Sequence, residues 1–121
     1  MIALALLAAT AAAPAAASPP RLIRAVPANG AVLNAGEHDL VWTFDRPMRR
    51  GSWSVTGLPA TTPTFVGTPT FSADGRTFSV RMRLEPGRRY DIGVNSRDHR
   101  NFTDEAGVPA AVARVRFSTK R

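Results

Sequence analysis

After residue 20 the chain alternates polar and apolar side chains with a period of two, the spacing that sends successive residues to opposite faces of a β-strand. Across residues 38–45, Leu40, Trp42 and Phe44 share one face, while Asp39, Val41, Thr43 and Asp45 share the other. Across residues 77–84, Phe78, Val80, Met82 and Leu84 face one way, and Thr77, Ser79, Arg81 and Arg83 face the opposite way. Tyr90, Ile92 and Val94 line one face of a following strand, and Val115 with Phe117 belong to a last one. These apolar faces predict the core, with Trp42 inside it.

Turn-forming residues punctuate the alternation. Pro27-Ala28-Asn29-Gly30 follows a first strand at 22–26, and Asn34-Ala35-Gly36 precedes the strand at 38–44. Ala73-Asp74-Gly75-Arg76 predicts a hairpin in which Asp-Gly supplies the positive φ angles of a tight turn, so that residues 69–72 pair back against 77–84. Residues 52–55, with Trp53, form a further short segment. The Thr- and Pro-rich stretch at 59–70 predicts edge strands or a long loop, because Pro cannot donate to a central ladder. Only a single turn near 97–102 carries any helical period. About seven short strands with turns at this spacing predict an all-β immunoglobulin-like fold, a two-sheet Greek-key sandwich.

Residues 2–17 break the pattern: Ile2, then Ala and Leu with one Thr and one Pro, uncharged, ending in Ala15-Ala16-Ala17 before Ser18. This is the form of a signal-peptide h-region with a small-residue cleavage site. The run falls short of the roughly 20 residues that span a bilayer, so no transmembrane anchor is expected after cleavage. No Lys or Arg follows Met1, and the absence of Cys excludes a lipoprotein signal. The expectation is a signal peptide at 1–17 and one domain at 18–121, periplasmic or secreted.

Composition narrows the chemistry. The chain has 121 residues, no Cys, and a formal charge of +7, with Lys120 as its single lysine. Without Cys there is no disulfide framework, thiolate metal site or Cys nucleophile. The arginine-based charge suits an anionic envelope component or an acidic protein patch. Nucleic acid is not expected, since the chain is read as exported and no aromatic platform interleaves with the arginines.

The densest local motif is Leu84-Glu85-Pro86-Gly87-Arg88-Arg89-Tyr90. It resembles a tyrosine corner, in which Leu84 ends one strand, Pro86-Gly87 turns between sheets, and the Tyr90 hydroxyl bonds back to nearby backbone. Around it, in order, stand Pro27-Ala28-Asn29-Gly30-Ala31, Phe44-Asp45-Arg46-Pro47-Met48, Asp104-Glu105-Ala106-Gly107 and Arg116-Phe117-Ser118-Thr119. Together these resemble the bacterial Ig-like domain of the S-layer SbsA type, over residues 22–119. That resemblance implies a non-catalytic binding or structural module of the cell envelope, with no catalytic residues and no cofactor.

A second resemblance, through Pro27-x-x-Gly30-Ala31-Val32 and Phe44-Asp45-x-Pro47, is to periplasmic copper carriers of the CopC type. It implies imidazole ligands, which suit Cu(II), and the imidazoles present are His38 and His99, beside Asp39 and Asp98. The long segment at 95–110 offers oxygen ligands in Asn95, Asp98, Asp104 and Glu105, but their spacing matches no calcium loop and arginines flank them. The alternative there is a polar crossover pinned by Phe102. Asn101-Phe102-Thr103 matches the N-glycosylation triplet, which is idle in bacterial export. No nucleophile, base and acid stand together as an enzyme requires.

The candidate anion-binding residues are Arg81 and Arg83 on one strand face and Arg114 and Arg116 on another, with Arg46, Arg49 and Arg50 clustered after the second strand. If the strands at 77–84 and 113–119 are neighbours, these arginines make one stripe able to hold carboxylate or phosphate groups bidentately.

Overall fold

The computed structural model describes residues 18–121; the signal-peptide expectation for 1–17 lies outside them. Eight strands follow one another: β1 (Leu22–Val26), β2 (Val32–Leu33), β3 (Gly36–Phe44), β4 (Val55–Thr56), β5 (Thr64–Phe71), β6 (Thr77–Leu84), β7 (Arg89–Val94) and β8 (Ala113–Thr119), with a 3₁₀ turn at Pro59–Thr61. They form two four-stranded sheets, ordered β1-β3-β6-β5 and β2-β8-β7-β4. Pairing is antiparallel except between β2 and β8, which run parallel through Val32↔Ser118 and Leu33↔Thr119. This is the layered arrangement of an immunoglobulin-like sandwich. Among the described residues no helix is long and apolar enough to cross a membrane.

The alternation in sequence becomes the core. Leu40, Trp42 and Phe44 of β3 and Phe78, Val80, Met82 and Leu84 of β6 are buried, and they meet Tyr90, Ile92, Val94, Val115 and Phe117 of the facing sheet. Burying one such side chain stabilises by about 1.5–3 kcal/mol. β3 and β6 pair in unbroken register from Gly36↔Leu84 to Thr43↔Thr77. At one end of the interior the Phe78 and Phe102 rings meet edge to face at 4.9 Å, with Phe44 5.3 Å from Phe102.

Four local expectations resolve in detail, the edge strand within 59–70 as expected and the other three differently. The β5–β6 turn uses one positive φ angle, at Gly75, and none at Asp74. Asp74 instead accepts hydrogen bonds from the Ser72 hydroxyl at 2.6 Å and the Arg76 N–H at 3.0 Å, so its side chain braces a wider loop. Residues 59–70 become the 3₁₀ turn and most of edge strand β5, whose register shifts between Val66 and Thr70 around Gly67. Near 52–55, only Val55 and Thr56 pair as a strand, with Val94 and Gly93. No helical turn forms at 97–102; that segment runs as bends.

The chain enters and leaves at opposite ends of the sandwich. β1 descends antiparallel to β3, and β8 descends antiparallel to β7. Ser18 lies where β3 ends, because the Arg46 guanidinium donates to its carbonyl at 2.7 Å. Lys120 lies where β7 begins, its carbonyl accepting the Gly87 N–H at 2.9 Å.

Candidate functional site

The four candidate arginines fall on two separate faces. β6 and β8 belong to different sheets, so the condition for a single stripe is not met: Arg81 and Arg83 project from one side of the sandwich, Arg114 and Arg116 from the other. Sheet membership depends on how the connections cross, which periodicity does not record.

On the first face, β3 lies beside β6 and supplies carboxylates directly opposite the arginines, Glu37↔Arg83 and Asp39↔Arg81. Arg83 reaches Glu37 at 3.3 Å, and Arg81 reaches Asp39 at 3.4 Å and Glu37 at 3.8 Å. Each such exposed pair contributes about 0.2–1 kcal/mol.

The second face centres on Asp91 of β7. Arg114 Nη2 lies 2.9 Å from Asp91 Oδ1, and Arg116 Nε lies 3.1 Å from Asp91 Oδ2. Partial burial pushes the Asp91 carboxyl up, but hydrogen bonds and charge from Arg114 and Arg116 outweigh it and hold the group below its ordinary value. Arg114 also donates to the Thr56 hydroxyl at 3.2 Å, lying across β7 above Gly93. A Cβ at Gly93 would stand 2.8 Å from the Arg114 guanidinium and 2.7 Å from the Ala113 carbonyl, so glycine there clears the path.

The histidines do not converge. His38 Nε2 stands 2.7 Å from the Asn34 carbonyl near the start of β3. His99 is exposed in the segment that brings Phe102 against Phe44, at the end of β3. Six residues of strand, roughly 20 Å at ~3.3 Å per residue, separate those ends. Among the described residues no group of three or more His, Cys, Asp or Glu is placed to hold a metal ion. The copper-carrier alternative finds no support in this geometry.

The oxygen groups of 95–110 are engaged within the fold. Asn95 is fully buried at φ 56°. Its Nδ2 donates to the carbonyls of Phe102 and Ala110 at 3.0 and 3.1 Å, and its Oδ1 accepts the Phe102 N–H at 2.9 Å. Asp104 Oδ1 accepts the N–H groups of Ala106 and Val108 at 3.0 and 2.9 Å, and Oδ2 meets Arg46 at 3.3 Å. Asp98 and Glu105 are exposed.

At the other end, the Glu85 N–H donates to the Tyr90 hydroxyl at 2.8 Å, and the Tyr90 ring stacks on Phe117 at 5.4 Å. Leu84 is buried, and Gly87 takes φ 63° in the turn.

Two residues besides those four arginines do more than the sequence suggests. Arg46 ties Ser18, Asp45 and Asp104 together, joining the incoming chain to β3 and the crossover; its signal was the Phe44-Asp45-Arg46-Pro47-Met48 motif. Asp91 anchors two arginines; its signal was one acidic position on the outward face of the strand that carries Tyr90, Ile92 and Val94 inward.

A two-sheet sandwich with internally paired charges and no converging metal ligands among the described residues defines a module of the immunoglobulin-like class. The chain belongs to the bacterial Ig-like domain family, whose profile matches residues 16–119. Membership points to a non-enzymatic module. No curated protein sequence matches the chain. Among solved structures, the S-layer protein rSbsC is similar with a TM-score of 0.54 and 16% identity over 85% of this chain. A structure of domains 1-6 of the surface layer protein SbsC aligns with a TM-score of 0.46 and 17% identity over 84% of this chain. The chain spans 14% of the length of each, and the first likeness shows the fold.

Proposed function

We propose that this protein is a non-catalytic structural module of the bacterial cell envelope, exported to the periplasm or beyond, that resists force applied between its two ends. The observation that carries this is the placement of Ser18 and Lys120 at opposite ends of the sandwich. Pulling Ser18 and Lys120 apart draws β2 and β8, which run parallel, past each other along their length. The bonds from Gly30 N to Arg116 O (2.7 Å), Ser118 N to Ala31 O (3.0 Å) and Lys120 N to Leu33 O (2.9 Å) then load together rather than one by one. The envelope setting is supported by family membership and by the S-layer protein that shares the fold.

Expression of the full chain with a C-terminal tag in a bacterial host, followed by fractionation and N-terminal sequencing, tests the export part. A product beginning near Ser18 outside the cytoplasm is expected. A cytoplasmic product still carrying residues 1–17 would overturn it.

A further inference from the structure

Neighbouring carboxylates separate arginines whose charge is offset within the fold from those whose charge is not. Arg81 and Arg83 face two carboxylates, Glu37 and Asp39, and Arg114 spends its guanidinium on Asp91 and Thr56. Arg116 gives Asp91 only its Nε, which leaves both Nη groups without a partner among the described residues. Arg89 is exposed at the start of β7, and its side chain makes no hydrogen bond or ion pair among the described residues.

Register places these donors together. Arg89 stands opposite Ser118, and the next pair along is Asp91 opposite Arg116. Arg89 and Arg116 are therefore diagonal neighbours on one sheet face, a separation of about 7–8 Å that long side chains bridge. A cavity of about 360 Å³ lies over them, walled by Gly30 on one side and Thr61 on the other. Its walls are fastened: Arg88 Nη2 donates to the Ala60 carbonyl at 3.2 Å beside Thr61, and the Arg116 N–H donates to Asn29 Oδ1 at 2.8 Å beside Gly30. Asp91 also lines this cavity, but three arginines on the same face outnumber its one carboxylate.

We propose that this hollow is an oxyanion-binding site, in which Arg89, the free Nη groups of Arg116 and the Ser118 hydroxyl receive one carboxylate or phosphate group carried on a small body. Guanidinium forks bind such groups through paired charge-assisted hydrogen bonds. The cavity volume falls at the small end of the range for ligand pockets, enough for a ligand of about one sugar ring. The site stands apart from the load-bearing role: either can fail alone.

The test is a backbone-amide NMR titration of residues 18–121 at low ionic strength with inorganic phosphate, with glucuronate, and with uncharged glucose. Saturable shifts confined to the amides around Arg89, Asp91, Arg116 and Ser118 are expected with at least one anion, identifying the ligand group as phosphate or carboxylate. Arg89→Gln should weaken that binding about tenfold, the loss of one charge-assisted donor group, whereas Arg81→Gln on the opposite face should leave it unchanged. No saturation with either anion, equal shifts around Arg81 and Arg83, or equal binding of glucose would overturn the proposal.

Discussion

Tyr90 and Glu85 are joined across the connection that carries the chain from one sheet to the other: the Glu85 N–H donates to the Tyr90 hydroxyl at 2.8 Å. The same peptide region is held from β8, where the Thr119 hydroxyl donates to the Glu85 carbonyl at 2.5 Å. A buried hydroxyl thus closes a turn that otherwise has few backbone partners of its own.

Tyr90→Phe keeps the ring on Phe117 and removes only the acceptor. Stranding a part-buried N–H costs about 1–3 kcal/mol. Urea unfolding should show a lower midpoint at unchanged m-value, and an unchanged midpoint would mean the hydroxyl contributes nothing.

Asn95 holds the long crossover to the core edge through three side-chain hydrogen bonds while adopting a left-handed backbone. Asn95→Ala removes all three and keeps a Cβ at a φ that alanine, without a polar side chain to bond locally, tolerates less readily than asparagine, for a total loss of about 3 kcal/mol or more. Asn95→Gly loses the same bonds but relieves the backbone, so it should be the more stable of the two. Denaturation of both variants checks the order; equal stability would place the whole effect in the side-chain bonds.

Strands with one buried face were legible in advance. β3, β6 and β7 each bury one face, so their sequences repeat at period two and their bounds lie close to those expected. β2 and β4 are two residues long and carry no period. β5 is an edge interrupted at Gly67 and Pro69, so its sequence looks half like a loop. The charged faces were legible as faces, but their partners were not. Arg81 meets Asp39 and Arg114 meets Asp91 only because of strand order, a property of non-local pairing. Asn95 looks like an ordinary polar loop residue; its burial follows from the return of the chain through Phe102.

Acid should act through Asp91. Its carboxyl is held below the unfolded value of about 3.9, so the two arginine bonds stabilise fully above about pH 4 and are lost as the pH falls through the lower, folded value. Asp91→Asn should lose about 1 kcal/mol at pH 7 and show a shallower fall in stability below pH 4. Asp74, held low chiefly by the Ser72 hydroxyl, is present in both proteins, so the difference isolates Asp91. Identical acid slopes would contradict the role given to the pair.

The most direct measurement of the tension-bearing role is single-molecule pulling of residues 18–121 in two directions. One direction uses handles at the two termini; the other uses cysteines introduced at Pro86 and Arg121, which the cysteine-free chain permits. Terminal pulling shears β2 against β8, whereas pulling between 86 and 121 peels β8 from β7 one bond at a time. A clearly higher unfolding force from the termini is the predicted result, and equal or lower resistance in that direction would contradict the load-bearing role.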